Sequence, residues 1–262
     1  MEMRCPICQG EAWPLDVVDF HKNCLESRGV FFQLSGVPIY YYRCRQCGFA
    51  WAPFFQNWTP EDFKKGIYNH DYVRVDPEYL EVRPRNNVNL LSQWFGTLPP
   101  ELQHLDYGGG NGLLSEQLRA KGWTSQCWDP FDEKSAGLPP PKPAAADLIT
   151  AFEVFEHVVD PVALIKRLEE LLRSNGVIVF TTMLSDGHLE FHRRIDWWYA
   201  SPRNGHISLY SRASLEKLCA KENLRVAHLS ETVHVAFREI PGWAADFFTR
   251  FVPGNAAADH SS

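Results

Sequence analysis

From residue 101 onward the chain alternates short apolar runs with amphipathic stretches. "LQHLDYG", "TSQCWDP" and "AADLITAFEVF" read as strands, and "GVIVFTTM" is the near-continuous apolar run expected of a strand buried on both faces of a parallel sheet. Between them "GLLSEQLRAKG" has a helical period and closes on Gly122. "DPVALIKRLEELLRSNG" opens on Pro161, ends in Asn-Gly and lines Leu164, Leu168, Leu171 and Leu172 along one face. "SRASLEKLCAKENL" adds a helix, and "RVAHLSE" and "TVHVAFRE" a closing pair of strands. The alternation predicts an α/β fold: a doubly wound, mostly parallel sheet of about seven strands with helices on both faces.

The first hundred residues follow another pattern. Two cysteine pairs, Cys5-Pro-Ile-Cys8 and Cys44-Arg-Gln-Cys47-Gly48, bracket the aromatic and β-branched run "GVFFQLSGVPIYYYRC". A C-x-x-C turn aims two thiolates at one centre, and two such turns complete a tetrahedral sulfur site with no open position. The spacing predicts a small N-terminal zinc ribbon holding structural Zn2+ on Cys5, Cys8, Cys44 and Cys47. His21 and Cys24 lie between the pairs as alternative ligands. Beyond the ribbon, Thr59 and Asp76 each precede a proline and a helical period, which predicts two connecting helices before the break at Pro99-Pro100. The expected organisation is therefore a ribbon over 1–56, a helical connector over 57–100, the α/β core over 101–240, and a C-terminal helix with a disordered tail over 241–262. "PGWAADFFTRFVP" is an aromatic amphipathic helix that could pack on its own core or on a second subunit. "GLPPPKPAAAD" reads as a short linker.

The 262 residues carry 26 Lys and Arg against 32 Asp and Glu, a net charge of −6, which disfavours a large nucleic-acid surface. No apolar run approaches a membrane span, and "MEMRCPICQG" lacks a signal core, so a cytoplasmic protein without a membrane partner is expected. Seven cysteines in such a compartment favour metal ligands or buried thiols over disulfides.

The candidate chemistry begins at "LDYGGGNG", a glycine-rich turn between a strand and a helix, where α/β sheets bind ligands. It lacks the third glycine of the dinucleotide fingerprint, since position 113 is Leu113. The preceding acid, Asp106, would repel a pyrophosphate but attract an ammonium group. Asp129, ending the second strand, suits a ribose diol. Together these describe S-adenosylmethionine better than NAD or ATP.

"LDYGGGNG", "CWDP", "ADLITAFEVFEHVVDP" and "LRSNGVIVFTT" resemble, in order and spacing, the successive motifs of class I S-adenosylmethionine-dependent methyltransferases, over roughly residues 68 to 239. The resemblance implies that Asp106, Gly108, Gly110 and Gly112 cradle the methionine part of the cofactor and that Asp129 holds the ribose. It also implies that Phe152, Glu153 and His157 lie near cofactor and substrate. "GHISLYS" with its following helix is similar to a segment of zinc-containing sugar C-methyltransferases, which also begin with a two-knuckle zinc module. By that likeness His206 is the expected base, with His157 second. This chain departs in carrying Gly205 where that family has Glu, and in ending soon after the core. The expected activity is methyl transfer to a small molecule, a sugar or another secondary metabolite. Trp197, Trp198 and Tyr199 either line its pocket or seal the core. Two alternatives stand beside it. One is a ribosomal RNA methyltransferase, with Arg4, Arg28, Arg43 and Arg45 as a basic face and Phe31, Phe32 and Tyr40 to Tyr42 as base-stacking groups. The other is a non-catalytic module that binds the cofactor.

Overall fold

The computed structural model describes residues 3–130 and 140–252. Packing gathers the chain into two units that interleave along it. The first takes Met1–Tyr79, Glu153–Ile165 and Thr182–Lys221; the second takes Leu80–Phe152, Lys166–Thr181 and Glu222–Ser262. The boundaries expected at 56, 100 and 240 cut the chain linearly, whereas the units exchange segments.

In chain order the described strands are β1 (Met3–Arg4), β2 (Glu11–Asp19), β3 (Pro38–Cys44), β4 (Ala50–Trp51), β5 (Gln103–Tyr107), β6 (Thr124–Trp128), β7 (Ala146–Phe152), β8 (Leu172–Thr181), β9 (Ser208–Leu209), β10 (Arg225–His228) and β11 (Val233–Phe237). The α-helices are α1 (Pro60–Gly66), α2 (Tyr72–Val75), α3 (Val82–Phe95), α4 (Leu113–Ala120), α5 (Pro161–Leu171), α6 (Arg212–Ala220) and α7 (Ala245–Phe251). Among the described residues no helix is long and apolar enough to cross a membrane.

The first unit is built on an antiparallel sheet in the order β1-β2-β3-β4-β9. Its register slips between Pro14 and Asp16, where proline cannot donate to the ladder. Along β3 the period of two sends Ile39 and Tyr41 into the core and leaves Tyr40 exposed. The expected ribbon strand begins only at Pro38; the preceding Phe31 and Leu34 lie exposed outside any strand. Thr59 caps α1 through a reciprocal box with Asp62, as its sequence predicts. Asp76 does not start a helix. It ends the single turn of α2, and α3 begins at Val82 with no side-chain cap.

The second unit holds a sheet in the order β10-β11-β8-β7-β5-β6. β6, β5, β7 and β8 run parallel, while β11 and β10 close it as an antiparallel pair. It is thus a mixed sheet of six described strands, parallel in three of its five pairings, where about seven strands were expected. Leu164, Leu168, Leu171 and Leu172 are all buried as the helical period predicts. α5 nevertheless stops at Leu171, because Leu172 pairs with Ala146 and starts β8. Phe247 and Phe248 of α7 sink into the core of their own unit, with Trp94 and Phe95 among their neighbours, so the aromatic helix packs on its own chain. The expected tail and part of the proline-rich linker lie outside the described residues.

Candidate functional site

In the second unit β5 ends beside Asp106, and the chain turns through five residues into α4. Gly108, Gly110 and Gly112 have φ of 73°, 54° and 79°, a left-handed region that side chains rarely adopt. Gly109 is required for another reason: a Cβ there would lie 2.1 Å from Asp106 Oδ2. Gly108 N donates to Trp128 O at 2.8 Å, and Gly110 N to Asp129 Oδ2 at 2.9 Å. Asp129 therefore stands at the glycine turn.

Asp106 is buried. Its Oδ1 accepts from Thr150 Oγ1 at 2.8 Å, while its Oδ2 has no hydrogen-bond partner among the described residues. Burial pushes this carboxyl up to about 7; the Thr150 bond opposes the shift and the charge of Asp129 adds to it. Behind it runs a chain that the sequence reading missed. His104 Nε2 lies 3.0 Å from Thr150 Oγ1 and its Nδ1 2.7 Å from Ser125 Oγ. A histidine inside an apolar strand was the only signal. Phe152, half-buried, ends β7, and Glu153 after it has a φ of 53°.

The first unit contains the rest of the "FEVFEH" segment. Glu156 is fully buried, and its Oε1 accepts from the Tyr199 hydroxyl at 2.6 Å. Its Oε2 accepts no hydrogen bond among the described residues. Burial, then the charge of Glu153, pushes the Glu156 carboxyl up to about 8. His157 Nδ1 lies 3.1 Å from Gly205 O, and His206 Nδ1 2.8 Å from Tyr199 O. A carbonyl only accepts, so each Nδ1 carries a proton. One ligand atom from each of Glu156, His157 and His206 lies within 4.8 Å of the others.

His206 belongs to a buried segment, 5 % exposed, that is fastened to the N-terminal residues. Tyr41 donates to His206 O at 2.7 Å, Cys24 N to Asn204 Oδ1 at 2.9 Å, and Arg203 N to Lys22 O at 3.1 Å. Trp197 and Tyr199 seal this unit's core, and Trp198 packs against it half-buried. Gly205, the departure noted in the sequence, has a φ of 88°, and a Cβ there would sit 2.9 Å from His157 Nδ1. A glutamate has no room in that conformation.

Cys5, Cys8, Cys44 and Cys47 converge, with Sγ–Sγ distances of 3.6 Å (Cys5 to Cys47) and 3.4 Å (Cys8 to Cys44). A tetrahedron of ~2.3 Å zinc–sulfur bonds has edges of about 3.8 Å, so the donor set fits that ion. Gln46 N and Cys47 N both point at Cys44 Sγ, at 3.4 Å. His21 and Cys24 stand outside this cluster: His21 Nδ1 bonds Gln33 O, and Cys24, its thiol pushed up to about 12 by burial, lies 3.8 Å from His206 Nδ1.

A parallel sheet with an antiparallel closing pair, and a glycine turn over an acid at the end of β5, describe the class of methyltransferase domains. The chain belongs to that class: the profile of a family described as "Methyltransferase domain" matches residues 78–229. A ubiquinone biosynthesis O-methyltransferase of Nitrosomonas europaea is 28% identical over 124 residues, 39% of this chain and 52% of the relative. The chain thus spans about half the length of that curated relative. Among solved structures, a 1,6-didemethyltoxoflavin-N1-methyltransferase of Burkholderia thailandensis with bound S-adenosylhomocysteine matches with a TM-score of 0.46 and 15% identity, over 68% of this chain and 84% of that one. The magnesium protoporphyrin IX methyltransferase of Synechocystis PCC 6803 matches with a TM-score of 0.44 and 17% identity, over 71% and 97%.

Proposed function

We propose that the chain is an S-adenosylmethionine-dependent methyltransferase with a small-molecule acceptor. The observation that carries this reading is the buried Asp106 carboxyl, whose Oδ2 lacks a partner among the described residues beside a turn built from glycines. A buried acid oxygen without a donor is destabilising, and an ammonium group is the complement that relieves it. Asp106, Gly108, Gly110 and Gly112 would hold the methionine part and Asp129 the ribose, with Phe152 completing the cradle. Bound there, the cofactor supplies a methyl group on a sulfonium.

Removal of a proton from the acceptor falls to the paired histidines, His206 first and His157 second. Each Nδ1 is committed to a carbonyl, which leaves Nε2 as the basic atom. The relative's name favours oxygen as the nucleophile; a sugar or another secondary metabolite is the acceptor class. Cys5, Cys8, Cys44 and Cys47 would hold structural zinc. The RNA alternative is less well supported: Arg28 pairs with Glu78, Arg45 stacks on Trp13, and Tyr41 is fully buried.

Calorimetry with S-adenosylmethionine tests the reading. Wild type binds; Asp106→Asn and Asp129→Ala each weaken binding by about 10- to 150-fold, as for loss of a charged hydrogen-bonding partner. His206→Ala keeps the cofactor and loses about 10²–10⁴-fold in turnover. A wild type that does not bind the cofactor removes the proposal. Binding without methyl release to any acceptor favours the non-catalytic module.

A further inference from the structure

We infer that Glu156, His157 and His206 form a second metal site, which takes a divalent transition ion on two imidazoles and one carboxylate. Three observations converge on it. The ligand atoms already lie within 4.8 Å of one another. Tetrahedral bonds of about 2.1 Å need edges of about 3.4 Å, a gap that small side-chain rotations close. Next, both rings are presented in the tautomer a metal requires: Gly205 O takes the proton of His157 Nδ1, and Tyr199 O that of His206 Nδ1. Backbone carbonyls on the distal nitrogen are the outer shell that fixes histidine ligands. Lastly, the carboxylate is supported in the same way. Tyr199 donates to Glu156 Oε1 and leaves Oε2 buried and poorly satisfied.

Tyr199 therefore serves two of the three ligands, one through its hydroxyl and one through its carbonyl. Tyr199 and Thr182 meet the Glu156 carboxyl as neutral groups and Glu153 as an acid. A divalent ion would supply positive charge where the two imidazoles and this buried carboxyl come together. Two histidines and one carboxylate form a set that zinc and iron(II) accept with positions left open, in contrast to the closed sulfur set of the four cysteines. An oxygen ligand at an open position has its pKa lowered. This role rests on the methyl-transfer reading above and takes the place of the histidine base there, since a liganded Nε2 cannot accept a proton: a hydroxyl acceptor coming to the ion would release its proton to solvent water and become the stronger nucleophile. The metal site itself stands apart from that reading.

The test is equilibrium dialysis of the full chain against micromolar Zn2+, with bound metal counted by mass spectrometry and cofactor binding followed by thermal shift. Wild type should hold two zinc ions, and His157→Ala and Glu156→Gln one each, with the shift from S-adenosylmethionine retained as proof that the variants fold. One ion in wild type that survives His157→Ala overturns the inference, as do two ions in wild type and both variants. If the second ion behaves as expected while wild type gives no cofactor shift, the methyltransferase reading fails and the metal site remains.

Discussion

The Thr150 hydroxyl donates to Asp106 Oδ1 at 2.8 Å. His104 Nε2 lies 3.0 Å from the same hydroxyl and its Nδ1 2.7 Å from Ser125 Oγ, which in turn donates to Ser115 Oγ at 2.9 Å. Burial holds His104 neutral, its pKa pushed down to about 3. Asp106 is thus held by one oxygen through a chain of buried polar groups, and the other oxygen faces the turn.

His104→Leu keeps the volume and removes the link. The Ser125 and Thr150 hydroxyls lose a partner inside the sheet, which should destabilise the fold by about 1–3 kcal/mol. Urea unfolding measures it, and an unchanged midpoint would show that the chain contributes nothing.

Asp106 and His104 also make opposite contributions to the pH dependence of stability. The Asp106 carboxyl is raised from its unfolded value near 3.9 to about 7, so its contribution is full below about pH 4 and is lost as pH rises to 7. His104 is lowered from about 6.5 to about 3, so its contribution is present above pH 6.5 and is lost as pH falls. Each slope is at most about 1.4 kcal/mol per pH unit, and the two oppose each other between roughly pH 4 and 6.5. Asp106→Asn should unmask loss of stability on acidification, and His104→Leu a gain. Unfolding curves at pH 5 and 7.5 that shift alike in both variants would contradict this.

Gly205→Ala places a side chain at a φ of 88° and a Cβ 2.9 Å from His157 Nδ1. A loss of about 1–3 kcal/mol is expected. Turnover should fall with it, because the carbonyl that orients His157 belongs to the same residue. Cofactor affinity should stay nearly unchanged. Calorimetry and a turnover assay on one preparation separate the two effects.

Cys44→Ser breaks the sulfur set whose members lie 3.4 to 3.6 Å apart. The variant should lose one metal ion and unfold at lower temperature, because a closed site couples binding to folding. Cofactor affinity should remain nearly intact. Equal metal content in variant and wild type would place the ion elsewhere.

Much of this architecture is local, and local chemistry is what a sequence displays. The glycine turn, its acid and Asp129 were legible because positive φ, a close backbone approach and a strand end each demand particular residues within a few positions. The two C-x-x-C turns and the Thr59 cap were legible for the same reason. The leucine face of α5 was legible from its period, but its end was not: a cross-strand partner 26 residues upstream draws Leu172 into β8.

What only the tertiary structure decided is how distant segments share one unit. β9 pairs with β4, and Tyr41, Cys24 and Lys22 fasten the stretch that carries His206. The sequence singled out His157 and His206 separately, as candidate bases. It gave no reason to join them to Glu156, or to expect Tyr199 to support both a carboxylate and an imidazole. The contacts of Tyr199 with Glu156 and of His157 with Gly205 span 43 and 48 residues. Such contacts leave no period or spacing in the chain, because their partners are chosen by packing.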